Sequence, residues 1–144
     1  MHTNLHLQPV ATQYDRYQEA LKQIEEKIKN RAKDFEILLY ESEVIIEFYS
    51  KKKLPFPLPD SDIQLFNGPI LAIKKDILYY WDIKTQQVHK TDQITDLEKT
   101  EATPTSFEDL AREGLYKEAR QNLKYLYTWL DEETEKLYEQ LDRI

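Results

Sequence analysis

Three histidines, His2, His6 and His89, are the natural candidates for metal ligation or proton transfer in this cysteine-free chain. Without thiols, disulfides and thiolate metal sites are excluded. His2 and His6 have the four-residue spacing that sets two imidazoles on one helical turn. They fall in a stretch, residues 1–12, that we read as a fraying N-terminal tail, so the spacing is taken as accidental. His89 is expected on a strand surface. Asp60 and Asp62 in "DSD" offer carboxylates to a cation, but the glycine and distal glutamate of a calcium loop are missing, and a helix- or turn-capping role is expected. In "DEETE", residues 131–135, consecutive acids fan around a helix instead of pairing. Asp131, Glu132 and Glu135 are therefore read as an acidic surface, not as a general acid–base pair. Glycine occurs only at Gly68 and Gly114, so there is no phosphate-cradling loop. We assign no catalytic residue, no metal site and no cofactor, and expect no enzyme.

Aromatic residues and charge remain. Tyr79, Tyr80 and Trp81 in "ILYYWD", with Tyr125, Tyr127 and Trp129 in "YLYTWL", are residue types favoured in interface hot spots, and we take them as candidate partner-binding residues. Tyr127 lies off the seam of Leu123, Leu126 and Leu130, and Tyr80 is its counterpart on the strand. Lys51, Lys52 and Lys53 suit the C-terminal end of a helix. The net charge of −7 arises wholly in residues 91–144, where 14 acids face 7 bases. Such a surface repels nucleic-acid phosphates, so no direct nucleic-acid binding is expected, though it would suit a basic site on a partner.

These side chains need a frame. Abundant charge with scarce glycine favours helix. From Tyr14 to Tyr49 apolar residues recur in steps of three and four: Tyr14, Tyr17, Leu21, Ile24 and Ile28, then Phe35, Leu38, Ile45 and Tyr49 in the same register. The period predicts a long amphipathic helix over 13–53, or two helices end to end, interrupted on the seam by Arg31 and Ser42, with a β-strand as the alternative for the branched and aromatic "EVIIEFY". Thr12 or Asp15 is expected to cap its start, and Pro55, Pro57 and Pro59 end it.

Over 63–95, "IQLF", "ILAIK", "ILYYWD" and "VHKT" predict an antiparallel meander of three or four strands. In the third run Ile77, Tyr79 and Trp81 point one way, and Leu78 and Tyr80 the other. Both faces are apolar, and a domain this small is expected to cover only one. Residues 95–106 read as an exposed loop. Thr105 or Ser106 then caps a second helical region, 106–144, broken at Gly114. Its seam passes through Leu123, Leu126 and Leu130, then resumes one step later at Thr134, Leu137, Leu141 and Ile144.

The predicted architecture is a single α+β domain: two long amphipathic helical regions flanking a small antiparallel β-meander. At full length each helix would span roughly 55–60 Å, and the pair is expected to lie antiparallel. This order is similar to that of the prefoldin subunits, a resemblance of layout that implies a chaperone built on a coiled-coil hairpin. "YYWDIKTQQ" resembles the second strand and turn of a WW domain, and equally a hairpin of a β-propeller blade. Ile70 or Leu71, and His89 or Lys90, stand where the WW family places its tryptophans. No signal-like start and no run near the ~20 apolar residues of a membrane span occur, so a cytoplasmic protein off the membrane is expected. The expected function is non-enzymatic protein–protein interaction, as an adaptor, accessory subunit or assembly chaperone, through helix seams and an aromatic β face. The partner would be another protein or a second copy in an oligomer. The alternative is an acidic inhibitor or immunity-type protein that blocks a basic, nucleic-acid-binding site.

Overall fold

The computed structural model describes residues 2–92 and 102–144, with side chains from Val10 onward. Its architecture is α+β, with long helices flanking antiparallel sheets of two and four strands. Helix α1 (His2–Glu41) begins well ahead of Tyr14. The tail expected over 1–12 is thus helical from His2, and Thr12 and Asp15 lie inside the helix, not at its cap. The period explains the difference. Val10 stands four residues before Tyr14 and continues the same apolar stripe.

The long helix breaks at Ser42 and not at Arg31. The Ser42 hydroxyl donates to the Leu38 carbonyl at 2.7 Å, and the Ser42 N–H is shared between the carbonyls of Leu38 and Leu39. A hydroxyl bonded back to such a carbonyl bends a helix, and α2 (Glu43–Lys51) sets off from there. Arg31 stays helical because its charged tip finds partners. Its guanidinium lies 4.6 Å from the centre of the Tyr116 ring and 3.4 Å from the Asp34 carboxylate.

Strand β1 (Phe56–Pro57) pairs with β2 (Gln64–Leu65) as a separate ribbon, so "IQLF" stands outside the meander expected to contain it. The main sheet runs β3 (Ile70–Lys74), β4 (Ile77–Asp82), β5 (Gln87–Thr91) and β6 (Thr103–Pro104), in that order and antiparallel throughout. Strand β6 lies in the stretch expected to be a loop; the part of that stretch up to 101 lies outside the described residues. Lys75 and Asp76, at φ 52° and 63°, make the two-residue turn whose twist matches an antiparallel pair. Gly68 allows a close backbone approach. A Cβ there would stand 1.6 Å from the Trp81 carbonyl oxygen, beside the bond from the Trp81 N–H to the Pro69 carbonyl at 3.0 Å.

The core corrects the main expectation about β4. Tyr79, with Ile77 and Trp81 beside it, faces the large core of Phe35, Tyr49, Leu110, Leu123 and Leu126. On the other face Leu78 and Tyr80 meet Leu65 and Ile70, with Leu58, Ile63 and Ala102 at the edge. The ribbon and the segment around it fold over that second side. This chain therefore covers both faces of the strand.

Helix α3 (Phe107–Arg112) is capped by Ser106, whose hydroxyl accepts from the Asp109 N–H at 3.1 Å. Gly114, at φ 71°, turns the chain into α4 (Tyr116–Arg143). Helix α4 lies on β3, where the buried Asn122 amide donates to the Leu71 carbonyl at 2.7 Å. Farther along, the Tyr49 hydroxyl donates to the Leu126 carbonyl and its ring meets Trp129. Since Arg31 meets Tyr116 and Tyr49 meets Leu126, α1–α2 and α4 run in the same sense, not antiparallel. The sheet and α3 return the chain to the middle of α1 before α4 starts, so a hairpin cannot form.

This path leaves two arms. No described side chain before Ile28 in α1 is buried, and none after Leu126 in α4. The arms leave the core at opposite ends. Among the described residues, no helix is long and apolar enough to cross a membrane.

Candidate functional site

An aromatic ladder crosses the domain and connects two clefts. Trp81 stacks on Phe107 (ring centres 5.7 Å apart), Phe107 on Phe35 (5.9 Å), and Phe35 meets Tyr116 edge-on at 5.2 Å. Arg31 caps the far end over Tyr116. At the Trp81 end is a cleft of about 470 Å³ between α1–α2 and the sheet. Leu39, Ile46, Trp81 and Phe107 make it apolar, and Glu36, Glu43 and Glu47 give it an acidic rim. Such a cleft suits an apolar or basic side chain.

At the Arg31 end, a second cleft of about 570 Å³ opens where the α1 arm leaves the core. Ile24 and Ile28 give it an apolar side, and Lys27, Arg31, Arg112, Lys117 and Arg120 line it with positive charge. Arg112 holds the Glu25 carboxylate in a two-pronged contact at 3.0 and 2.9 Å, which pulls the Glu25 pKa below its ordinary value. Among the described residues, Lys27, Lys117 and Arg120 form no ion pair. In an acidic protein this is a local basic site with an apolar base.

The α1 arm carries a continuous exposed stripe: Val10, Tyr14 and Tyr17 at 60%, Leu21 at 41% and Ile24 at 53% exposure. A stripe with alternating steps of four and three is the pattern that one helix offers to another. The α4 arm carries a second stripe in Leu137, Leu141 and Ile144, all exposed. Asp131, Glu132 and Glu135 are exposed around it.

The predicted site residues separate. Tyr79 and Tyr80 are 5% and 7% exposed and belong to the interior, so the open aromatic β face is corrected. Burial, first of all, raises both of their pKa values above that of a free tyrosine. Trp81 is half-buried and reaches the surface in the acidic-rimmed cleft. Trp129 is half-buried against Tyr49, and Tyr125 is half-buried with its pKa raised by burial and then by Glu132. Tyr127 is exposed.

His89 stacks on Tyr80 with ring centres 5.7 Å apart. His2 and His6 fall on the first turns of α1, and their side chains lie outside the described residues. Ser61 of "DSD" accepts from the Ile63 N–H at 3.0 Å, a turn contact as expected. Among the described residues no three His, Cys, Asp or Glu side chains gather as for a metal ion.

Sequence reasoning missed the basic rim. Lys27 is distant in sequence from Lys117 and Arg120, and no spacing links them. Val10 was within reach, four residues before Tyr14. No known protein family matches this chain, and neither a curated protein nor a solved structure is similar to it.

Proposed function

We propose that this chain is a non-enzymatic cytoplasmic protein that holds another protein through its projecting helices. The observation that carries the reading is the α1 stripe of Val10, Tyr14, Tyr17, Leu21 and Ile24, a heptad pattern left uncovered among the described residues. A helix of this period buries its stripe against a second helix, because apolar area leaves water while the polar flanks stay wet. The β face contributes only through Trp81 in its cleft. Hydrogen exchange on concentrated protein tests this. Amides over 10–24 should be protected, and Leu21→Asp should abolish that protection while leaving the core amides unchanged. Equal, fast exchange over 10–24 in both proteins overturns the reading.

A second reading is favoured by the exposure of Asp131, Glu132 and Glu135 on the α4 arm, an acidic surface suited to blocking a basic site. Binding of that kind weakens steeply with salt and with charge reversal at these three positions. Burial of the α1 stripe is apolar, so its own share of the binding varies little with salt.

A further inference from the structure

We infer that the chain assembles head to tail, with the apolar edge of the α4 arm of one copy lying parallel along the α1 arm of the next. The acidic tip of that α4 arm seats in the basic-rimmed cleft at the root of α1. This inference rests on the reading of the α1 stripe as a protein-binding surface, and it names the partner.

The two edges have the same period. Val10, Tyr14, Tyr17, Leu21 and Ile24 step by four, three, four and three; so do Leu130, Thr134, Leu137, Leu141 and Ile144. Laid parallel, their exposed positions pair layer by layer, from Tyr17 with Leu137 to Ile24 with Ile144, while Leu130 stays packed against its own core. The fold supplies the direction. The arms leave opposite ends of a core in which α1–α2 and α4 run in one sense, so a parallel pairing puts the two cores at opposite ends of the shared segment. An antiparallel pairing would place both cores on the same side of it.

Charge selects the same arrangement. The α4 arm holds Asp131, Glu132, Glu133, Glu135, Glu139 and Asp142 against Lys136 and Arg143. In the parallel register Asp142 falls level with Lys22 and the last turn reaches Ile24, beside which Lys27, Lys117 and Arg120 line the cleft. Pairing two α4 arms would set acids against acids. Pairing two α1 arms would leave Leu137, Leu141 and Ile144 uncovered. The contact joins two different surfaces, so it repeats from copy to copy instead of closing in a pair.

Two variants of the full chain test the inference by sedimentation velocity. Leu21→Asp removes the α1 edge and Leu141→Asp the α4 edge. Both positions are exposed, at 41% and 61%, so the core folds in each, which circular dichroism verifies. The wild-type mass should rise above 17.3 kDa with concentration, followed up to about 1 mM, where even a millimolar contact is about two-fifths populated. Each variant should be monomeric by itself, and an equimolar mixture should form a dimer that grows no further. Adding Lys117→Glu and Arg120→Glu to the Leu141→Asp chain should weaken that dimer about tenfold.

Association of Leu141→Asp by itself, with amides over 10–24 protected, overturns the head-to-tail arrangement and leaves the α1 reading standing. A mixture that stays monomeric also overturns the arrangement. Monomers throughout, with 10–24 unprotected, overturn both. Indifference to the Lys117 and Arg120 reversals removes the basic cleft as the seat of the tip.

Discussion

Tyr49→Phe removes one oxygen atom from the centre of this protein. Tyr49 is fully buried, its ring stacked 5.2 Å from Phe56 and tilted against Trp129 at 5.8 Å, and its hydroxyl donates to the Leu126 carbonyl. Phenylalanine keeps the ring, so the packing contribution is unchanged. What is lost is one interior hydrogen bond. The Leu126 carbonyl stands inside α4 and also serves the helical ladder, so it is not left wholly unpaired. The expected cost is about 1–2 kcal/mol. Tyr49→Ala, which also removes the ring, should cost about 3–5 kcal/mol. Urea unfolding reads both, as a lower midpoint with an unchanged slope.

The same hydroxyl gives a second readout. Burial, and then the neighbouring Tyr125, raises the Tyr49 pKa above that of a free tyrosine. The folded state therefore keeps the proton after the unfolded chain has lost it. The stability linked to this group is complete below about pH 10 and is lost as the pH rises through the unfolded value toward the folded one. Tyr79, Tyr80 and Tyr125 act in the same direction. Wild-type stability should fall above that pH, and Tyr49→Phe should make the fall shallower. A neutral Tyr49→Phe with an unchanged alkaline slope would refute the assignment of this hydroxyl as the tie between α2 and α4.

Gly68→Ala forces a Cβ against the Trp81 carbonyl oxygen, so the 67–69 loop must lift from the end of β4. It should cost about 3 kcal/mol, measured by denaturant unfolding, and Trp81 fluorescence should shift as its surroundings open. Asn122→Ala removes the buried amide that holds α4 to β3 through the Leu71 carbonyl. A loss of about 1–3 kcal/mol is expected, with faster hydrogen exchange along β3.

Much of the local structure was legible in the chain. The apolar period over Tyr14–Tyr49 predicts the long helix, Ser42 is one of its two marked interruptions, and Ser106 and Gly114 punctuate the second helical region where the structure has its cap and its break. These are short-range effects. A seam repeats within a few residues, a hydroxyl competes for a carbonyl four residues away, and a glycine takes a positive φ. The candidate site was less legible. Tyr127 and the acids of the α4 arm are exposed as their helical positions suggest, yet Tyr79 and Tyr80 are interior.

Tertiary structure decided that difference. "ILYYWD" is apolar on both faces in any fold, but whether the second face meets water depends on where "LPFPLPD" and "IQLF" go. No period in the sequence encodes that path. The common sense of α1–α2 and α4 is equally a long-range matter, set when α3 returns the chain to Arg31. From it come the two arms at opposite ends, and the meeting of Lys27 with Lys117 and Arg120 across most of the chain's length. Periodicity records what each segment must bury; only the path of the whole chain determines which segment buries it, because that depends on contacts between residues far apart in sequence.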